Sequence, residues 1–203
     1  MTRCPWSHGP ERFEPRLGPG RAEGTEFATV DLMSHEFPTS TFADVLDGNR
    51  AYAADFPGTG LSGRALKGLA LVTCMDSRIE PLPLLGMERG DVKILRNAGA
   101  RVTDDVLRTL VLGAYLLDVT RVLVMPHTDC KMASATEEQI HQQILDDHGV
   151  DTSSVEFRTV ADQEATLAYD VRRIRSYPLL PKGFVVAGAI YDVHTGKVSP
   201  RDV

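Results

Sequence analysis

Three short apolar runs in this chain each stop at chemically active side chains, and that pattern constrains the fold more than any other feature. Residues 69–73, 92–95 and 121–125 are rich in Leu, Val and Ile; Cys74, Asn97 and His127 stand just past their ends. The second and third runs, bounded by Gly or Asp at one end and by site candidates at the other, read as buried parallel strands. Between them Thr103-Asp104-Asp105 opens a helix that carries Val106, Leu107, Leu110, Val111, Ala114 and Leu117 on one broad face. Its acids fall in the first turn, where the helix dipole favours them. This alternation predicts an α/β fold, a mostly parallel central sheet flanked by helices. In such sheets ligands collect at the carboxyl ends of the strands, so residues 74 and 127 can meet there.

The remaining segments extend the same pattern. A helix is expected over residues 41–54, capped by Ser40 or Thr41 and ended before Pro57, with a neighbouring subunit as its packing partner. Two more are expected over residues 133–148 and 160–176, the latter stopped by Pro178. A fourth apolar run, 184–193, turns at His194-Thr195-Gly196 and resumes at Lys197-Val198, which predicts a C-terminal strand hairpin. Residues 1–33 hold Pro5, Pro10, Pro15 and Pro19 among several glycines and little periodic apolar content. They read as a disordered N-terminal extension, with Met33 as a natural start and residues 34–203 as a single domain.

Composition narrows the functional classes. With 203 residues, 42% of them hydrophobic, the chain can bury one substantial core. A formal net charge of -6, without a run of Lys and Arg interleaved with aromatics, argues against a nucleic-acid partner. No apolar run reaches the ~20 residues that span a bilayer, and the N-terminus lacks a secretory pattern. The expected location is therefore cytoplasmic, with no membrane partner. Three cysteines, at 4, 74 and 130, are too few for a disulfide framework and point to metal or redox use in a reducing compartment.

Two clusters carry the chemistry: Cys74-Met75-Asp76-Ser77-Arg78 and His127-Thr128-Asp129-Cys130. Two thiolates and an imidazole from different strand ends make a three-ligand zinc site that leaves a fourth position for water or substrate. The competing reading is a buried cysteine pair or redox couple, which would leave His127 without a purpose. Asp76 is placed to accept a proton from the nucleophile in a hydrogen bond, and Arg78 to hold that carboxylate through a bidentate bond. An ordinary ion pair is the plainer alternative for those two. Arg96-Asn97-Ala98-Gly99-Ala100 supplies a small-residue turn where Gly99 lets backbone approach a ligand, so Asn97, Ala98 and Gly99 are candidates for a substrate pocket. Asp129 is expected to cap the next helix, while His141 and His148 are expected to face solvent. A phosphatase-like use of Cys74 is disfavoured because C-x-x-x-R is too short to wrap an oxyanion.

With those residues in view the chain resembles the β-class carbonic anhydrases, whose CxDxR and HxxC motifs stand here at residues 74–78 and 127–130. Arg96-Asn97-Ala98-Gly99 also looks like the family's, and the resemblance covers roughly residues 40–193. It implies one catalytic Zn2+ per subunit on Cys74, His127 and Cys130, with Asp76 and Arg78 as the catalytic dyad. It further implies reversible hydration of CO2 to bicarbonate and a proton by zinc-bound hydroxide, with a closed state in which Asp76 binds the metal. The implied assembly is a homodimer or homotetramer, with N-terminal helices embracing the neighbour.

One residue departs from the family pattern: Lys131 follows the second cysteine, where the family usually has Gly. A backbone with positive φ would be strained by lysine, and its ammonium could attract bicarbonate. The plainer expectation is that Lys131 begins the next helix and points outward. Two rivals keep the same residues. One is a hydrolase of CS2 or COS, linear electrophiles akin to CO2, because channel shape decides the substrate. The other is a non-catalytic zinc-binding or sensor protein in which Asp76 fills the fourth position.

Overall fold

The computed structural model describes residues 37–58 and 60–203. Cys4, His8, His35 and the expected extension at 1–33 lie outside the described residues. The chain divides at Pro57 and Gly58 into two compact units. The described part of the first contains helix α1 (Ala43–Ala54), whose N-cap is Phe42 with no side-chain cap bond. The expected cap at Ser40 or Thr41 does not form: residues 39–42 make a turn in which the amides of Thr41 and Phe42 bond to the Pro38 carbonyl.

The second unit is built on a five-stranded sheet in the order β2-β1-β3-β4-β5. Its strands are β1 (Leu69–Cys74), β2 (Val92–Asn97), β3 (Arg121–Met125), β4 (Val185–Tyr191) and β5 (Val198–Arg201). The first four run parallel, and β5 returns antiparallel on β4 as the predicted hairpin. All of β1 is buried, as a central strand covered on both faces must be. β2, by contrast, lies at the sheet edge with intermediate to exposed residues, so the sequence expectation of a buried strand fails there. Lys93 and Arg96, placed among its apolar residues, are the sign of that edge.

Helix α2 (Pro81–Leu84) lies between β1 and β2, α3 (Asp104–Leu116) between β2 and β3, and α4 (Glu137–His148) and α5 (Gln163–Arg175) between β3 and β4. Thr103 caps α3 through its hydroxyl, as its position before two acids suggests. Helices α4 and α5 start later than expected because Thr136 and Asp162 are the true caps; Thr136 forms a reciprocal capping box with Gln139. Val106, Leu107 and Leu110 of α3 join Leu167, Val171 and Ile174 of α5 in one apolar cluster with Ala70, Val72, Val122 and Val124. A second cluster joins Leu71 and Met125 to Ile79, Met132, Val160 and the two cysteine side chains. The chain leaves β1 for β2 on one side and then crosses to β3 on the other. The carboxyl ends of β1 and β3 therefore form the crevice where such sheets bind ligands. No helix among the described residues is long and apolar enough to cross a membrane.

Candidate metal centre and active site

β1 ends at Cys74, and the amide of Met75 still bonds to the Asn97 carbonyl, so the strand ladder fixes where the first thiol emerges. The loop then turns sharply. Asp76 accepts the Arg78 amide at 2.9 Å, and Arg78 closes on the same carboxylate with Nε to Oδ1 at 3.0 Å and Nη2 to Oδ2 at 2.8 Å. Arg96 of β2 braces this loop from beneath, donating to the carbonyls of Cys74 at 2.9 Å, Asp76 at 2.6 Å and Ile79 at 3.2 Å.

His127 leaves β3 through Pro126 and pairs with Tyr191 of β4 in an extended bridge. It is fully buried. Nδ1 lies 2.8 Å from the Thr128 carbonyl, a contact in which Nδ1–H donates; that tautomer leaves Nε2 with its lone pair. Among the described residues Nε2 has no hydrogen-bond partner. The Gln163 side-chain amide holds the His127 carbonyl at 2.8 Å. Cys130 follows Asp129, whose φ of 54° lies in the left-handed region and turns the chain back towards Cys74.

Cys74, His127 and Cys130 are all buried, and their ligand atoms lie within 4.8 Å of one another. The two sulfurs are 3.9 Å apart. A disulfide needs about 2.05 Å, whereas two Zn–S bonds of about 2.3 Å at a tetrahedral angle place sulfurs about 3.8 Å apart. The donor set, its spacing and the unpartnered Nε2 fit a metal ion. Asp76 Oδ2 lies 3.8 Å from Nε2, beside the three donors. A cavity of about 630 Å³ opens onto this group, lined by Cys74, Met75, Asp76, Ser77, Arg78, Ala98, Cys130, Lys131 and Met132.

A family model for carbonic anhydrases matches residues 69–198, the stretch that builds the sheet and both clusters. The chain belongs to the β-class carbonic anhydrases. It is 35% identical to β-carbonic anhydrase 1 of Mycobacterium tuberculosis over 157 residues, which is 77% of this chain and 94% of that protein. The crystal structure of carbonic anhydrase from Streptococcus mutans superposes with a TM-score of 0.74 at 38% identity, covering 78% of this chain and 96% of that one. A carbon disulfide hydrolase of Acidithiobacillus thiooxidans is 30% identical over 152 residues, 65% of this chain and 76% of its own length.

The electrostatics follow from the contacts. The Cys130 thiol donates to Cys74 and holds the Cys74 thiol down at about 3, against the penalty of its burial. The same shared proton pushes Cys130 well above the usual thiol range. Burial works against a charged His127, but the Cys74 thiolate, the Thr128 carbonyl and Asp76 together raise its pKa. The Arg78 guanidinium holds the carboxyls of Asp76 and Asp129 below their usual range. Asp76 is thus held as an ionised, hydrogen-bond-accepting carboxylate at neutral pH.

The remaining details of this centre meet some sequence expectations and depart from others. Asp129 does not cap a helix: its carboxylate takes Arg78 Nη1 at 2.7 Å and its carbonyl takes Nη2 at 3.0 Å. Lys131 begins a 3-10 turn, Lys131–Ala133, and is not among the residues with positive φ, so the feared strain is absent. Asn97 spends its side chain on the backbone of Arg101 at 2.7 and 2.8 Å. Ala98 lines the cavity, and Gly99, at φ 77°, points its amide at Cys74 Sγ over 3.4 Å. His141 is half-buried, bonded to the Thr152 hydroxyl at 2.9 Å and stacked near Phe157, rather than solvent-facing. Sequence reasoning passed over Arg96 and Gln163. Arg96 offered a signal, a cation just before the small-residue turn; Gln163 offered none, because its role depends on where α5 meets the His127 loop.

Proposed function

We propose that this chain is a zinc-dependent enzyme that hydrates CO2 reversibly to bicarbonate and a proton. The observation that carries the reading is the convergence of Cys74, His127 and Cys130 beside an Asp76 whose two carboxylate oxygens are both held by Arg78. In this reading Cys74 Sγ, His127 Nε2 and Cys130 Sγ hold the zinc. Bound there, zinc supplies a Lewis acid that makes water a nucleophile near neutral pH.

The side chains do the rest. Asp76 accepts a hydrogen bond from the attacking oxygen and so aims its lone pair at the CO2 carbon. Arg78 fixes that acceptor by forked hydrogen bonds and keeps it from turning onto the metal. His127 cannot rotate, because Nδ1 is tied to the Thr128 carbonyl. Gly99 N–H donates to the Cys74 sulfur and tempers its charge donation to the metal. The apolar flank of the cavity, Met75, Ala98 and Met132, suits a small neutral substrate. Attack forms one C–O bond as one C=O π bond opens onto its own oxygen, giving bicarbonate, and the proton lost from water leaves to buffer.

The reading includes self-association, supported by α1, which carries Phe42, Val45 and Tyr52 exposed beside or along it and buries none of its own residues. It also includes a cytoplasmic setting, supported by two buried thiols standing free beside one another. The carbon disulfide hydrolase relative favours one competing substrate class. Parallel rates on CO2, COS and CS2 test the choice. CO2 turnover far above the other two is expected, and dominant CS2 or COS hydrolysis would overturn it.

A further inference from the structure

Among the described residues, Lys131 is the one cation lining the cavity that no carboxylate holds in an ion pair. Arg78, the other cation, is shared between Asp76, through forked hydrogen bonds, and Asp129, a group with a surplus of negative charge. Among the described residues no carboxylate forms an ion pair with the Lys131 ammonium. Its backbone is fixed: the carbonyl accepts the Ser134 amide at 3.1 Å and the Ser134 hydroxyl at 2.8 Å. Met132, buried in the second apolar cluster, anchors the same turn. The lysine stem therefore starts at a defined point on the cavity wall, next to Cys130.

We propose that Lys131 makes this cavity selective for small monoanions, with bicarbonate as the natural occupant. This inference rests on the cavity being the substrate site. The physical argument is a difference between the two reacting species. CO2 is neutral and gains nothing from a fixed charge, whereas bicarbonate gains a Coulomb term with a cation that no protein carboxylate has claimed. At a solvent-open mouth that term is worth about one partly screened charge pair, a factor of roughly two to five in affinity. It fades as salt shortens the Debye length. The overall equilibrium fixes the ratio of kcat/KM in the two directions. Weakening the bicarbonate complex alone thus raises KM and kcat for dehydration together.

Thiocyanate is the probe, titrated into cobalt-substituted protein and read from the visible spectrum, and into zinc-loaded protein and read from thermal stabilisation. Lys131→Gln is expected to weaken thiocyanate by about two- to fivefold at low salt, Lys131→Glu to weaken it further, and Lys131→Arg to restore it. The difference between parent and Lys131→Gln should shrink as inert salt is raised. Equal affinity in parent, Gln and Glu variants would overturn the proposal whether or not the protein turns over CO2. A Lys131-dependent affinity without CO2 turnover would overturn only the functional reading above.

Discussion

The two apolar clusters flanking the sheet are built by different rules. The first, beneath α3 and α5, consists of Ala, Val, Leu and Ile alone. The second, on the side of the metal centre, includes Cys74, Cys130 and Met132 and lies against a fully buried histidine with an unpartnered nitrogen. A buried polar atom without a partner costs about 1–3 kcal/mol; the other such atom among the described residues, Asp170 Oδ1 on α5, belongs to a carboxylate already held by Arg101, whereas the His127 nitrogen lies beside two thiols. Positive φ at Asp129 and Ala100 also falls in the loops that frame those thiols. Stability is concentrated in one cluster and chemistry in the other. Mutations should separate them.

The sharpest separation comes from Cys130→Ser. Removing one of the three proposed ligands should abolish stoichiometric zinc binding and with it turnover, while the first cluster keeps the fold; metal analysis beside circular dichroism checks both. Asp76→Asn should come next, retaining zinc but losing about 10²- to 10⁴-fold in turnover, the range for a positioned proton acceptor. Activity within threefold of the parent at full zinc occupancy would remove Asp76 from its assigned role.

Leu110→Ala reverses the contrast. Leu110 is 1% exposed in the first cluster, so its truncation should cost about 2–5 kcal/mol of stability in denaturant melts. Zinc content per folded molecule should stay at one. If zinc is lost in proportion to stability, the two clusters are not separable.

A smaller effect is expected from Asp192, which accepts the amides of His194 at 2.8 Å and Thr195 at 3.3 Å in the loop joining β4 to β5. Those amides hold its pKa below the ordinary 3.8. A depressed carboxylate contributes stability that is present above the unfolded value and lost as pH falls through the folded one. Asp192→Asn should therefore lower the melting temperature slightly at pH 6, with parent and variant converging well below pH 3.8. A constant offset across that range would mean the charge is not responsible.

The sequence was most legible where one residue type has few explanations. Cys74, His127 and Cys130 stood out because thiols and an imidazole at strand ends have little structural use, and β1, β3 and α3 because their apolar patterns fit one element each. Boundaries were less legible: α4 and α5 began at Thr136 and Asp162 rather than at the first apolar residue, since a cap outranks periodicity in setting a helix start. The roles of Asp129, Arg96 and Gln163 depend on contacts between segments 17 to 51 residues apart. Nothing in the local sequence encodes such partners. The β2 edge left only a faint local trace, Lys93 and Arg96 among its apolar residues, because strand order is a property of the whole sheet.

We propose that zinc held by Cys74, His127 and Cys130 drives CO2 hydration. Stopped-flow hydration across a series of preparations with graded, measured zinc content tests this directly. The expected rate is proportional to zinc and extrapolates to zero in the metal-free protein. No hydration at one zinc per chain, or a rate indifferent to zinc, would contradict it.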